Sequence, residues 1–186
     1  NNSGATISSV GNTIRTGGTS GDPSTGYTIT NSGKIFSTQT GNKSTVFFGN
    51  ANSSGGTITN NLGAEIYSGG TAATIKVGET TTITNRGSIK NNTSTSDNVI
   101  ELLGSNNTVT LEEGSILVGK ISSGSGTSGN TLKLNLGAGQ GYFYETVGDF
   151  TLQDLDGNQV VKGSAGSVGQ GGSETLDELL SYKSLN

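Results

Sequence analysis

The sequence contains no cysteine, histidine, methionine or tryptophan, and a single proline, Pro23. Without histidine or cysteine there is no Ser-His-Asp triad, no thiol nucleophile, no imidazole base and no Cys/His zinc site. Chemistry is left to carboxylates, Lys, Tyr and hydroxyls. The lack of cysteine removes disulfides but does not locate the chain, because bacterial surface proteins in oxidising surroundings often avoid the residue. Charge is scarce too: 13% of the 186 residues are Asp, Glu, Lys or Arg, with a formal net charge of −4. Hydrophobic residues make up 28% and aromatics 5%. Ordinary globular domains are ~45–50% apolar, so a conventional two-layer core is disfavoured. No apolar run approaches the ~18 residues of a membrane helix. Asn1-Asn2-Ser3-Gly4 has nothing of a signal peptide, so an exported form is expected to have lost its signal.

What is present is small and polar. Gly, Ser, Thr and Asn account for 103 of 186 residues. Disorder would normally bring high net charge and few β-branched residues, whereas this chain is rich in Thr, Ile and Val. It must therefore build a thin apolar core from a few residues per unit, repeated. Charge is unevenly spread: residues 140–186 carry seven acids against Lys162 and Lys183, and residues 1–139 carry seven acids against eight bases. The near-neutral larger part offers no footprint for a phosphate backbone, so nucleic acid is not expected as a partner.

A repeat sets the fold class. Thr28-Ile29-Thr30-Asn31-Ser32-Gly33-Lys34-Ile35 recurs from Thr57 to Ile66 and from Thr82 to Ile89, with a looser copy from Thr108 to Ile116. The offsets from Ile29 through Ile58 and Ile83 to Val109 are 29, 25 and 26 residues. Apolar residues alternate with polar ones in three short clusters per unit, the period of a strand. The second cluster is Lys34-Ile35-Phe36, Glu65-Ile66-Tyr67 or Ser88-Ile89-Lys90; the third is Thr45–Phe48, Thr74–Val77 or Val99–Leu102. Gly, Ser and Asn between them supply the turns. Three strands and three turns make one triangular coil, and stacked coils make an all-β, right-handed parallel β-helix. Ala5–Ser8 and Thr13–Thr16 read as strands of an earlier, degenerate coil. About five coils at ~4.8 Å per rung give a rod of ~25 Å.

On this reading Ile29, Ile58, Ile83 and Val109 stack inward on one face, Ile35, Ile66, Ile89 and Ile116 on the next, and Val46/Phe48, Ile75/Val77 and Ile100/Leu102 on the third. Alternation then turns Asn31, Asn60 and Asn85 inward as an amide ladder, each bonding to the next coil. It turns Thr28/Thr30, Thr57/Thr59, Thr82/Thr84 and Thr108/Thr110 outward.

The run from Asn98 to Ile121, Asn-Val-Ile-Glu-Leu-Leu-Gly-Ser-Asn-Asn-Thr-Val-Thr-Leu-Glu-Glu-Gly-Ser-Ile-Leu-Val-Gly-Lys-Ile, continues into Gly129-Asn-Thr-Leu-Lys-Leu-Asn-Leu-Gly137. Together with the Ile-Thr-Asn-x-Gly-x-Ile units it resembles the last coils of type V autotransporter passenger domains, over residues 28–160. The resemblance implies a β-helix displayed outside a Gram-negative outer membrane and exported through a C-terminal barrel. No series of amphipathic barrel strands follows here, so the expectation is a cleaved passenger or a piece that ends before the translocator.

Residues 1–139 are thus expected as β-helix repeats and residues 140–162 as a capping hairpin, turning at Asp156-Gly157 between Phe150 and Val161 and backed by Tyr142, Phe143 and Tyr144. Residues 163–173 read as a Gly/Ser linker. Residues 174–186 begin a helix with a capping box at Thr175–Glu178, the segment that leads toward a barrel in the family.

No catalytic, cofactor or metal site is expected. Asp154-x-Asp156-Gly157-Asn158 lacks the Gly and Glu positions of a calcium loop and reads as a turn. Glu112 and Glu113 are adjacent, on opposite sides of a strand, a poor geometry for a hydrolytic carboxylate pair; Asp22, Asp97 and Glu101 are isolated in sequence. The expected role is a non-enzymatic surface module for adhesion, aggregation or filament assembly, with other copies or a neighbouring cell surface as partner. The edge strand at residues 5–16 is the expected docking point between copies. The alternatives are a phage or extracellular fibre module, an ice-binding solenoid acting through the outward Thr-x-Thr array, and a polysaccharide-degrading β-helix.

Overall fold

A computed structural model of the chain describes residues 1–16, 25–49, 53–91, 97–137, 142 and 144–156, together with the backbone of 167–168. Five coils of three strands follow one another. They are β1 (Thr6–Ser9), β2 (Ile14–Thr16) and β3 (Thr28–Asn31); β4 (Lys34–Ser37), β5 (Val46–Phe48) and β6 (Thr57–Asn60); β7 (Glu65–Ser68), β8 (Ile75–Val77) and β9 (Thr82–Asn85); β10 (Ser88–Asn91), β11 (Asn98–Leu102) and β12 (Thr108–Glu112); and β13 (Ile116–Val118), β14 (Lys120–Ser123) and β15 (Thr131–Asn135). A sixth turn contributes β16 (Tyr144–Val147) and β17 (Thr151–Asp154), and β18 (Ser167–Val168) follows.

Each strand pairs with its equivalents one coil away. The first sheet runs β1-β4-β7-β10-β13, the second β2-β5-β8-β11-β14-β16-β18 and the third β3-β6-β9-β12-β15-β17. Every pairing is parallel except β16 with β18, which is antiparallel. This is the β-solenoid of about five turns that the repeats predict, and no helix occurs among the described residues.

The core is one or two files of residues per face. Ile58, Ile83, Val109 and Leu132 of the third sheet, Ile35, Ile66 and Ile89 of the first, and Val46, Phe48, Ile75, Val77, Ile100, Leu102 and Ile121 of the second are all fully buried. An apolar fraction of 28% suffices because each strand contributes only one or two such residues. The expected column containing Ile116 is off by one. Ile89 pairs with Leu117, and Ile116 is half exposed. The cause is turn length. The chain passes from the third sheet to the first in two residues at Ser32-Gly33 and Arg86-Gly87, but in four at Asn61–Ala64 and Glu112–Ser115. Leu111 therefore relates to Leu117 as Asn60 does to Ile66.

The four-residue turns are closed by a backbone bond, Ala64 N–H to Asn61 O at 3.0 Å and Ser115 N–H to Glu112 O at 2.9 Å, with Gly63 and Gly114 at positive φ. Asn2–Ala5 is a third such turn, closed at 3.1 Å around Gly4. The two lengths alternate up the rod, so a short turn always lies against a long one. A Cβ on Gly87 would sit 2.3 Å from Ala64 O and 2.5 Å from Asn61 O, and Gly33 meets Ala5 and Asn2 in the same way. The short turns need glycine for close approach of backbones, not for its φ.

The ladder of amides is present and longer than the repeat indicates. Asn1 Nδ2 donates to Asn31 Oδ1 at 2.8 Å, Asn31 to Asn60 at 2.9 Å, Asn60 to Asn85 at 2.8 Å, and Asn85 Nδ2 to Ser115 Oγ at 2.6 Å.

At the C-terminal end the solenoid continues past residue 139. β16 and β17 lie parallel to β14 and β15, with Thr131 opposite Thr151 and Leu132 opposite Leu152. The segment expected as the first limb of a capping hairpin is thus one more parallel rung, held because Leu152 extends the apolar file. Residues 157–161, its expected return limb, lie outside the described residues, as do Phe143 and the expected helix at 174–186. The two-residue strand β18 falls inside the stretch expected as a linker and pairs with β16.

Candidate functional site

Two outward surfaces emerge from the register. On the third sheet Thr28, Thr57, Thr82, Thr108, Thr131 and Thr151 are successive partners in one column. Beside it runs Thr30, Thr59, Thr84 and Thr110, ending in Lys133 and Gln153. Rung spacing of ~4.8 Å and two-residue spacing of ~7 Å make this a regular grid of hydroxyls and methyls. The four pairs expected from sequence are all there. Thr131 and Thr151 were missed because the repeat unit fades before them.

On the second sheet Arg15, Phe47, Lys76 and Glu101 share an outward column. The Arg15 guanidinium carbon lies 5.6 Å from the centroid of the Phe47 ring, a cation–π contact. Lys76 Nζ is 2.7 Å from Glu101. The loops before β2, β5 and β8 rise beside this column and leave an open groove of about 180 Å³ lined by Asn12, Arg15, Asn42, Lys43, Phe47 and Lys76. Sequence inspection passes over these residues because they lie about thirty positions apart and meet only once register is known.

The carboxylates singled out in the sequence are spread over the rod. Glu112 pairs with Arg86 across one rung and Glu101 with Lys76. Glu65 lies 3.4 Å from Lys34 and 3.9 Å from Lys90, and Glu145 3.6 Å from Lys120. Such exposed cross-rung pairs stabilise little individually. Glu113 stands beside Glu112 at the rim of a second open groove with Arg86 and Asp156. Asp154 Oδ1 accepts from Asp156 N–H at 2.9 Å, and Asp156 Oδ2 from Gly137 N–H at 2.8 Å, so both act on turn backbone. Asp97 accepts Lys120 N–H through its carbonyl. Asp22, Gly157 and Asn158 lie outside the described residues. Among the described residues no group of three or more acids is placed to hold a metal ion.

Burial raises the pKa of Tyr27, Tyr142 and Tyr144, only partly opposed at Tyr142 by hydrogen bonds to Ser115 and Leu117. All three shifts move away from neutrality, the opposite of what a general acid or base working near pH 7 requires.

A second buried amide cluster escaped the sequence reading. Asn107 and Asn130, both essentially inaccessible, bond to each other and to Gly104 O, while Asn107 Oδ1 accepts Thr81 N–H at 2.8 Å. Their place at a corner between the second and third sheets makes them structural. Compared with known proteins, the chain matches no family model, no curated protein and no solved structure.

Proposed function

We propose that the chain is a non-enzymatic structural and adhesive module of a bacterial cell surface, the role implied by its resemblance to autotransporter passengers. The observation that carries this reading is the continuity of three parallel sheets through every coil. It makes a stiff rod whose outward columns are regular, polar and contact-ready, while the four glutamates that face a cation across the next rung are engaged in surface ion pairs. Such a rod carries a binding surface away from the cell and presents broad Thr, Ser and Asn faces to neighbours. Copies have a route to each other at the outer edges of β1 and β2, beside the exposed Ile7 and Val10. The test is display of the chain on a non-adherent Gram-negative cell. Protease-accessible chain with faster cell sedimentation or attachment is expected; surface display with no change in either would overturn the reading.

The six-rung threonine column favours a second reading, ice binding through a flat hydroxyl and methyl grid. Thermal hysteresis by the purified chain, lost in Thr82→Lys at the centre of the face, is the outcome that this reading requires; ordinary freezing behaviour would sink it.

A further inference from the structure

The groove over Phe47 has the makings of a ligand site, and we infer that it binds an acidic saccharide, a pyranose bearing a carboxylate or sulfate. Three cations converge there in a chain whose net charge is −4: Arg15, Lys43 and Lys76. Only Lys76 has an acidic partner among the described residues, and its ammonium retains donors beyond the one facing Glu101. Arg15 and Lys76 are two rungs apart in the column, about 10 Å from backbone to backbone, with the Phe47 ring between them. An anionic group bound in the groove has cations on either side, and its sugar ring has the part of the Phe47 side chain that the Arg15 guanidinium leaves uncovered to rest against.

The rim supplies the groups a sugar needs beyond charge. Asn12 and Asn42 present amides, and Asn12 Nδ2 is fixed by donating to Ser44 O at 2.8 Å. Ser44 also lines the groove. It is 2% exposed, and its Oγ has no hydrogen-bond partner. Buried hydroxyls are ordinarily paired. The Ser44 hydroxyl is one of several buried side-chain atoms without a partner among the described residues, that of Tyr144 being another. The combination of aromatic floor and amides selects a saccharide over a bare anion, and the near-neutral faces around it give no track for a polyphosphate.

This deepens the adhesive reading and rests on it only for the source of the ligand, a glycan on a neighbouring surface. The test is calorimetry on the intact chain with a heparin-derived hexasaccharide, a hexagalacturonate and the neutral maltohexaose. The first two separate sulfate from carboxylate. Binding of at least one acidic hexamer and no binding of the neutral one is expected. Lys43→Glu should weaken binding more than tenfold, and Phe47→Leu several-fold. Lys133→Glu, which makes the same charge change on the third sheet, should alter it less than twofold. All variants are checked for an unchanged melting transition; a Phe47→Leu chain that melts early leaves the comparison of Lys43→Glu with Lys133→Glu to decide. No binding of either acidic hexamer, equal binding of the neutral one, or equal loss in the two lysine variants would overturn the proposal. Cells that display the chain and fail to attach to anything, while the purified chain binds through Lys43, would refute the adhesive reading and leave the site standing. Attachment that persists in Lys43→Glu, with no binding of oligosaccharide by the purified chain, would do the reverse.

Discussion

In the first three rungs of the third sheet the inner column beside the isoleucines is asparagine, Asn31, Asn60 and Asn85, and in the next two it is leucine, Leu111 and Leu134, in unbroken register. The same inward position thus carries a fully polar file in one half of the rod and an apolar one in the other. The difference follows what comes next in the chain. Each asparagine precedes a turn into a first-sheet strand and donates to carbonyls of that corner: Asn31 to Gly33 O and Glu65 O, Asn60 to Ala64 O and Ser88 O, Asn85 to Gly87 O. Leucine cannot do this. At Leu111 the task passes to Ser115, whose hydroxyl ends the ladder. Beyond Leu134 no first-sheet strand is described, and Leu117 N–H is met by the Tyr142 hydroxyl at 3.1 Å where a strand would otherwise pair. Side-chain hydrogen bonds brace the corners into the first sheet, from Asn31, Asn60 and Asn85 and then from Ser115 after Leu111, and only at Leu134 does a leucine stand where no such corner is described.

The largest expected effect breaks the ladder at its centre. Asn60→Leu keeps the branching at Cγ but leaves Asn31 Nδ2 and Asn85 Oδ1 without their amide partner in a dry site, a loss of about 3 kcal/mol in urea denaturation. The reciprocal change separates position from residue type. Leu134→Asn buries an amide with no amide on the rungs beside it, its one polar neighbour in the column being the Asp154 carboxylate, and is expected to cost up to ~3 kcal/mol. Leu111→Asn, directly below Asn85, has a ladder to join and is expected to cost roughly half of that. Equal losses at the two leucines would show that ladder continuity is not what the column encodes.

Turn length gives a smaller effect. Gly87→Ala pushes a methyl against the Ala64 and Asn61 carbonyls of the long turn one coil away, and a loss of about 2 kcal/mol is expected from this overpacking. Gly63→Ala meets nothing within 4 Å but holds φ at 77°, so only the left-handed conformation is penalised, by about 1 kcal/mol. If the order of the two is reversed in thermal melts, the alternation of short and long turns does not set the close approach.

These contrasts bear on what the sequence alone could reveal. Strand periodicity, the three inward files and the asparagine ladder are legible because every repeat prints them in the same order. The register at Ile116 was legible too, had the Thr108 copy been set without a gap against the Thr57 copy, which shares its four-residue turn. Asn1 as a ladder member was hidden by the absence of a Thr-Ile-Thr before it. The groove was not legible in any repeat, since Arg15, Phe47 and Lys76 share a column but no residue type. That Thr151–Asp154 forms a parallel rung is not legible because Asp156-Gly157 suits a hairpin turn, whereas it is the file ending in Leu152 that draws these residues onto the existing sheet.

The smallest effect concerns the apolar end. Tyr144 is 2% exposed at the close of the core, and its hydroxyl has no hydrogen-bond partner. Tyr144→Phe removes an unsatisfied polar atom and keeps the ring, so a gain of up to about 1 kcal/mol at pH 7 is expected. The sign of its pH dependence follows from burial, which raises the phenol pKa above its unfolded value of about 10. The folded state then holds the proton more tightly than the unfolded state. The associated stability is complete below about pH 10 and is lost as pH rises from there toward the folded pKa. The parent chain should therefore lose stability between pH 10 and 12 more steeply than Tyr144→Phe, by up to about 1.4 kcal/mol per pH unit for this one group. Parallel alkaline limbs in the two chains would mean that Tyr144 ionises without unfolding the end of the rod, and that the apolar half is looser than the amide-braced half.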